Sequence, residues 1–315
     1  MASENISTPV LFLIFNRPDN TRQVFEQIRL AKPAHLYIAA DGARSHVSGE
    51  TEICEETRSI VNEIDWDCDV RTLFRDENLG CKYAVSSAIT WFFEQVEEGI
   101  ILEDDCLPNE DFFLFCQQLL EKYRIEEHIH LVSGNNFIIE KEYDESYYFS
   151  KYPHIWGWAT WRRAWEKYDV SMKTYSSEIL NTKEFQQLFN NKSEKKYWRN
   201  IFELCKAGQI NTWDYQLTYS IWKNNGMCIT PNENLVVNLG LNIDSTHFFL
   251  NDSFKMIPLS KMTFPLIHPV NIVVDKETDI YTFNNLFAHS FSRGLRLFKE
   301  NRIRKIIGYF LKKYL

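Results

Sequence analysis

Along the first 135 residues, short apolar runs alternate with longer stretches whose apolar positions recur at helical spacing. VLFLIF (10–15) reads as a strand buried on both faces, and a helical stretch follows from Thr21 to about Leu30. LYIAA (36–40) predicts a second strand ending at the turn Asp41-Gly42, before a helical pattern over roughly 50–64. DVRTLFR (69–75) predicts a third strand, and Asn78-Leu79-Gly80 a turn. Tyr83, Ile89, Phe92, Phe93 and Val96 mark an amphipathic helix. GIIL (99–102) predicts a fourth strand running into Glu103-Asp104-Asp105; a helix over about 110–124 and a strand at HLVSG (130–134) close the series. Strands alternating with helices of this length predict βαβ units, hence a mainly parallel α/β sheet flanked by helices.

Beyond Gly134 the pattern changes. Aromatics crowd into YYFSKYPHIWGWATWRRAW (147–165), with its helical part after Gly157, and a polar helical stretch follows at about 176–207. A helix is expected over Tyr215–Lys223, and a strand and loop in NLVVNLGLNIDSTHF (234–248). Residues 250–291 read as irregular. With no internal repeat and no low-complexity linker, 1–250 are expected to form one domain and 251–315 a C-terminal extension.

Composition narrows the class. Of 315 residues, 44% are hydrophobic and 25% charged, which excludes disordered, collagenous and polytopic membrane chains. No apolar run approaches membrane-spanning length, and the N-terminus lacks the basic leader of a signal peptide. The seven cysteines have no CxxC pattern, so reduced thiols in a cytoplasmic protein are expected. The net charge of −8 divides unevenly: 292–315 carry +7 and the remaining residues −15. An acidic body excludes a nucleic-acid partner. In the tail, Leu295, Phe298, Ile303, Ile306, Ile307, Phe310 and Tyr314 recur at helical spacing among Lys and Arg. That pattern predicts a basic amphipathic helix, suited to peripheral contact with the inner face of the plasma membrane or to packing on the acidic body.

In doubly wound sheets, ligands bind beyond the carboxyl ends of the strands. This selects Asn16-Arg17, Asp41, Arg75 and Glu103-Asp104-Asp105. Neither GxGxxG nor GxxxxGK[ST] is present, which argues against a classical dinucleotide or P-loop site. Three acids in a row raise one another's pKa or recruit a cation; oxygen-only donors suit Mg²⁺ or Mn²⁺. The alternative is a solvated turn whose acids favour the next helix's N-terminus.

Glu103-Asp104-Asp105 after GIIL, with Leu107-Pro108 and Asp111-Phe112-Phe113 behind, resembles the metal motif of GT-A glycosyltransferases of the N-acetylglucosaminyltransferase I type. WGWATWRRAW (156–165) is similar to segments of bacterial nucleotide-diphospho-sugar transferases, and the likeness covers roughly 8–250. It implies a metal-dependent, inverting transfer from a UDP-sugar, with GlcNAc before a hexose, to a glycan acceptor in bacterial surface polysaccharide or lipooligosaccharide synthesis. By the same resemblance, Asp105 ligates Mn²⁺ (or Mg²⁺), Asp104 faces the ribose and Glu103 the sugar hydroxyls. Arg17 holds the diphosphate and Asp41 accepts the uracil N–H. Lys82, twenty-one residues before Glu103, stands where eukaryotic enzymes use a histidine. Asp214, in the pair Trp213-Asp214, is the catalytic base, and His247 approaches the diphosphate. Trp156 and Trp158 line the sugar pocket; the other tryptophans of the segment are core, and Arg162-Arg163 surface. The rival reading from the residues is a nucleotide-sugar or carbohydrate-binding protein without catalysis.

Overall fold

The computed structural model describes residues 6–138, 144–240 and 257–287. Each predicted strand of the first half is present: β1 (Val10–Ile14), β2 (His35–Ala40), β3 (Asp69–Phe74), β4 (Glu98–Glu103) and, after a short β5 (Cys106–Pro108), β6 (Ile129–Ser133). Between them lie α1 (Pro18–Ala31), α2 (Glu50–Arg58), α3 (Gly80–Phe93) and α4 (Glu110–Lys122). Pro18 opens α1, where its missing N–H costs nothing, and Asn109 caps α4 by accepting from the Phe112 N–H.

The second half departs from the sequence reading. β7 (Tyr147–Ser150) and β8 (Trp158–Trp161) arise inside the aromatic segment, and only α5 (Arg162–Trp165) is helical there. The polar stretch breaks into a 3₁₀ turn at Ser177–Asn181, α6 (Lys183–Gln186) and α7 (Lys192–Lys206). Then come α8 (Asp214–Lys223), β9 (Met227–Pro231) and β10 (Val236–Asn238). The stretch expected to be irregular contains α9 (Lys276–Thr282), capped by the Asp275 carboxylate on the Thr278 N–H, and a π turn at Phe283–Phe287.

The main sheet has eight strands in the order β3-β2-β1-β4-β8-β6-β9-β7. β3, β2, β1 and β4 are parallel; β8 runs antiparallel between β4 and β6; β9 is parallel to β6, and β7 antiparallel to β9. The architecture is therefore a Rossmann-like α/β sheet with two covered faces. Alternate residues of each strand feed opposite cores. Val10, Phe12, Ile14, Ile100 and Leu102 pack with α1 and α4, while Leu11, Leu13 and Ile101 pack with α3, α7 and α8. Burial on both faces explains why these strands read as unbroken apolar runs. Met262 and Leu266 join the first core and Phe283 the second.

Two glycines let β8 and β10 close onto the end of β4. A Cβ on Gly134 would lie 2.5 Å from the Phe112 ring and 2.7 Å from the Gly157 carbonyl oxygen. Gly157 has φ +63°, which L side chains rarely adopt, and its carbonyl accepts from the Gly134 N–H at 2.7 Å. Among the described residues no helix is long and apolar enough to cross a membrane.

Candidate active site

Arg17 caps α1 just beyond the carboxyl end of β1, and β1 pairs with β4 so that Leu13 stands opposite Glu103. This register brings Arg17 onto the acids that follow β4. Its Nη1 donates to Asp104 Oδ1 at 3.1 Å and to Asp105 Oδ2 at 2.6 Å. The Phe15 N–H donates to Asp104 Oδ2 at 3.2 Å, so both oxygens of Asp104 are engaged. Asp105 Oδ1 has only longer contacts, with Cys106 Sγ at 3.5 Å and Asn238 Nδ2 at 3.4 Å, and its side chain is 15% exposed. β10 pairs antiparallel with β5, and the Leu239 N–H donates to the Asp105 carbonyl at 2.7 Å. Gly240 follows, where a Cβ would lie 2.5 Å from Asp105 Oδ2.

The cluster carries more negative charge than its neighbours offset. Burial, then Asp105, Asp104 and Asp214, push the Glu103 carboxyl well above its ordinary range. Asp104 is raised to about 7, by burial first and against the pull of Arg17. Desolvation opposes the charge of Arg17, but the two carboxylates outweigh it and raise its pKa. The Cys81 thiol, on the first turn of α3, is pushed up to about 12 by desolvation and then by Glu103, Asp214 and Asp105, although the residue as a whole is exposed.

Asp214 reaches this cluster from the far side of the chain. It is the first residue of α8, with Trp213 at the N-cap. Thr212 Oγ1 donates to Asp214 Oδ1, as does the Tyr215 N–H at 2.9 Å; no hydrogen-bond donor to Oδ2 occurs among the described residues. Asn211 Nδ2 lies 3.6 Å from where a Cβ on Gly80 would stand, so the turn before α8 abuts the start of α3. Arg17 touches Asp104 and Asp105 directly, and the Glu103 carboxyl feels the charges of Asp105, Asp104, Asp214 and Arg17.

Other predicted residues have different surroundings. Asp41 is buried and accepts from the Leu79 N–H (2.9 Å), the Gly80 N–H (3.0 Å) and Asn78 Nδ2 (2.9 Å), holding the entry to α3. Lys82 is buried within α3, its Nζ 5.4 Å from the Tyr83 ring centroid. Trp156 is half-buried, with its backbone N–H donating to Asn135 Oδ1 and its ring 4.8 Å from that of Phe137. Trp158, expected in the sugar pocket, and Trp213, expected at the donor, are both buried and stack on each other at 5.7 Å and 21°, so each gives one ring face to the other. Arg162 and Arg163 are struts rather than surface decoration. Arg162 Nε donates to the Val96 carbonyl, and Arg163 donates to the carbonyls of Tyr123, Arg124 and Ile129. His247 and the predicted helix 292–315 lie outside the described residues.

Several site neighbours escaped the sequence reading. Thr212 stands two residues before Asp214, but only the tertiary position of α8 gives its hydroxyl a purpose. Asn238 and Gly240 reach Asp105 only through the β5–β10 pairing. Glu50, beside the carboxyl end of β1, is buried and takes Asn16 Nδ2 at 2.8 Å, the Arg44 N–H at 2.7 Å and Arg44 Nε at 2.9 Å. Its isolated position in a polar helix carried no signal.

The donor set fits a divalent cation in one respect: Asp105 Oδ1 is a hard oxygen with no short partner, in a site short of positive charge. Among the described residues no three of His, Cys, Asp and Glu converge as a ready cage, so further oxygens would have to come from a bound ligand or water.

No protein-family model matches the chain, and no curated protein sequence does. Among solved structures, HddC from Yersinia pseudotuberculosis is similar over 51% of this chain and 80% of its own, at 13% identity and a TM-score of 0.33. The 4-diphosphocytidyl-2C-methyl-D-erythritol synthase of Anaerococcus prevotii is similar over 56% and 84%, at 10% identity and a TM-score of 0.31. Likenesses of that size leave the reading of the site to its own geometry.

Proposed function

We propose that the chain is a metal-dependent inverting glycosyltransferase, moving GlcNAc or a hexose from a UDP-sugar to a glycan acceptor in bacterial surface polysaccharide or lipooligosaccharide synthesis. It would work in the cytoplasm, with the basic segment 292–315 touching the inner face of the plasma membrane. The observation that carries the reading is that Arg17 lies on Asp104 and Asp105 beside Glu103, whose carboxyl also feels the charge of Asp214 from the start of α8. A diphosphate needs a cationic arm, and an inverting displacement needs one carboxylate base on the acceptor side.

In this reading Arg17 turns from Asp104 and Asp105 to the diphosphate oxygens. A cation held by Asp105 would stabilise charge on the departing diphosphate. Glu103, with no hydrogen-bond donor among the described residues, is placed to accept from sugar hydroxyls. Asp214 Oδ2 takes the acceptor hydroxyl proton as the new C1–O bond forms and the bond from C1 to the diphosphate oxygen breaks. Thr212 and the Tyr215 N–H hold Oδ1 and so aim the free oxygen. Asp41, already engaged by the entry to α3, would keep its uracil contact only by adding one to those it makes.

Calorimetric titration of UDP with and without Mn²⁺ tests the donor site. Wild type should bind in a Mn²⁺-dependent way, Asp105→Ala should lose that dependence, and Asp214→Asn should bind like wild type while losing at least about a hundredfold in slow UDP-sugar hydrolysis. No UDP binding under either condition would sink the uridine reading. Binding with no UDP-sugar hydrolysis above background in the wild type would favour a non-catalytic binding protein, and hydrolysis unaffected in Asp214→Asn would remove Asp214 as the base.

A further inference from the structure

Six of the thirteen exposed large hydrophobic side chains among the described residues fall between Leu259 and Ile280. Four crowd into one loop: Ile267 is 59% exposed, Val270 93%, Ile272 40% and Val273 67%. Single exposed aliphatics are ordinary on a protein surface, but a cluster at one tip is not.

The loop is built, not frayed. At its start the Ser146 N–H donates to the Ile267 carbonyl at 2.8 Å, and the Ile267 N–H returns to Ser146 Oγ at 2.9 Å. Tyr147 Oη lies 2.9 Å from His268 Nδ1. At its end Val274 bridges Phe149, and the Asp275 N–H donates to the Phe149 carbonyl at 2.8 Å. Both feet therefore stand on β7, the last strand of the sheet, while Val270 stands clear at the apex. Just inside the feet, Met262 and Leu266 are buried in the core, whereas Val270 and Val273 within the loop face outward.

We propose that the loop Ile267–Val273 is a lipid-inserting element that seats the protein on an anionic bilayer surface. A convex tip fits this occupant better than a helix or a second copy, because both of those need a concave or flat face to cover. From Ile257 to Val274 there is no acidic residue and one lysine, so the tip itself carries no negative charge, the acids Glu145, Asp275 and Glu277 standing at its feet. α9 and the π turn carry the described chain to Phe287, about 18 Å of helix beyond the loop's end, and in sequence the basic stretch 292–315 follows. Neither an apolar tip nor a basic segment alone makes a firm anchor, whereas the two together supply both terms of interfacial binding. The proposal does not depend on the glycosyl-transfer reading.

The test is flotation of the full-length protein with vesicles of phosphatidylglycerol and phosphatidylethanolamine, compared with phosphatidylcholine alone. Val270→Ser with Val273→Ser should lower partition onto the anionic vesicles about tenfold or more. Leu30→Ser with Ile53→Ser, which removes two exposed aliphatics from α1 and α2, should leave it within about twofold. Hydrogen exchange on the wild-type chain provides a second readout that needs no variant: the amides of 268–273 should slow when anionic vesicles are added. Absence of either effect overturns the proposal. A molar mass that falls on the loop substitution without lipid also overturns it, assigning the loop to a second copy. Protection of 268–273 before vesicles are added overturns it in favour of the chain's own C-terminal segment.

Discussion

At the scale of single residues, the site and its surroundings use carboxylates in opposite ways. Glu50 is a structural acid: the Arg44 side chain first, then its backbone N–H and Asn16, hold the carboxyl down to about 2 from an ordinary 4.5. A depressed folded pKa means stabilisation present in full above 4.5 and lost as pH falls toward 2. Glu50→Gln should therefore make unfolding less pH-dependent between about pH 5 and 2, read from urea midpoints along a pH series. An equal slope in wild type and variant would show that Glu50 is not the group lost to acid. Asp104 runs the other way. Its carboxyl is raised to about 7 from 3.8, so its ionisation costs stability as pH climbs through that range, a cost expected where charge is kept for a ligand. Arg17 and the acid triplet were legible because strand-end position is local in sequence. Glu50 was not, because its partners arrive from two other segments.

Among the elements, α3 shows how one residue can serve structure where function was expected. Asp41 fills three donors at the entry to α3, where a helix has unsatisfied N–H groups. Asp41→Ala should destabilise the protein by about 1–2 kcal/mol, measured by chemical denaturation, with a smaller loss for Asp41→Asn. A variant as stable as wild type but deficient in UDP binding would return Asp41 to base recognition alone. β7 and β8 escaped prediction for a related reason. Each has four residues, too few for a period-2 pattern to stand out, and Trp158 and Trp161 read equally well as helix-spaced core. Their identity as strands depends on β4, β6 and β9, which offer the hydrogen bonds. The 176–207 stretch breaks into a 3₁₀ turn, α6 and α7, yet Leu180, Phe185, Tyr197, Trp198 and Phe202 from these pieces all enter the same aromatic core.

Over the whole molecule, the site is assembled from two bodies of side chains. Arg17 and the acid triplet ride on the sheet, while Asp214 rides on α8. The stack of Trp158, from β8, on Trp213, at the cap of α8, couples them. Trp158→Ala should cost about 3–5 kcal/mol in stability. At temperatures where the variant stays folded, turnover should fall further than UDP affinity, because the cavity loosens α8 and not β1 or β4. Denaturant unfolding and UDP calorimetry on the same preparation check both halves; equal losses in affinity and turnover would mean that the stack does not set the position of Asp214.

The alternation of strand and helix, burial of the sheet on both faces, and acids at the end of β4 were determined by the sequence itself. Hydrophobic period and strand-end position are local properties, written within ten or fifteen residues. Tertiary structure alone decided that β8 inserts antiparallel between β4 and β6, and that Arg17 bridges Asp104 and Asp105. It also decided that Asp214 joins them, and that Trp158 and Trp213 spend their faces on each other. Each of these depends on which distant segment comes to rest beside which, and that is settled by register and packing over the whole fold.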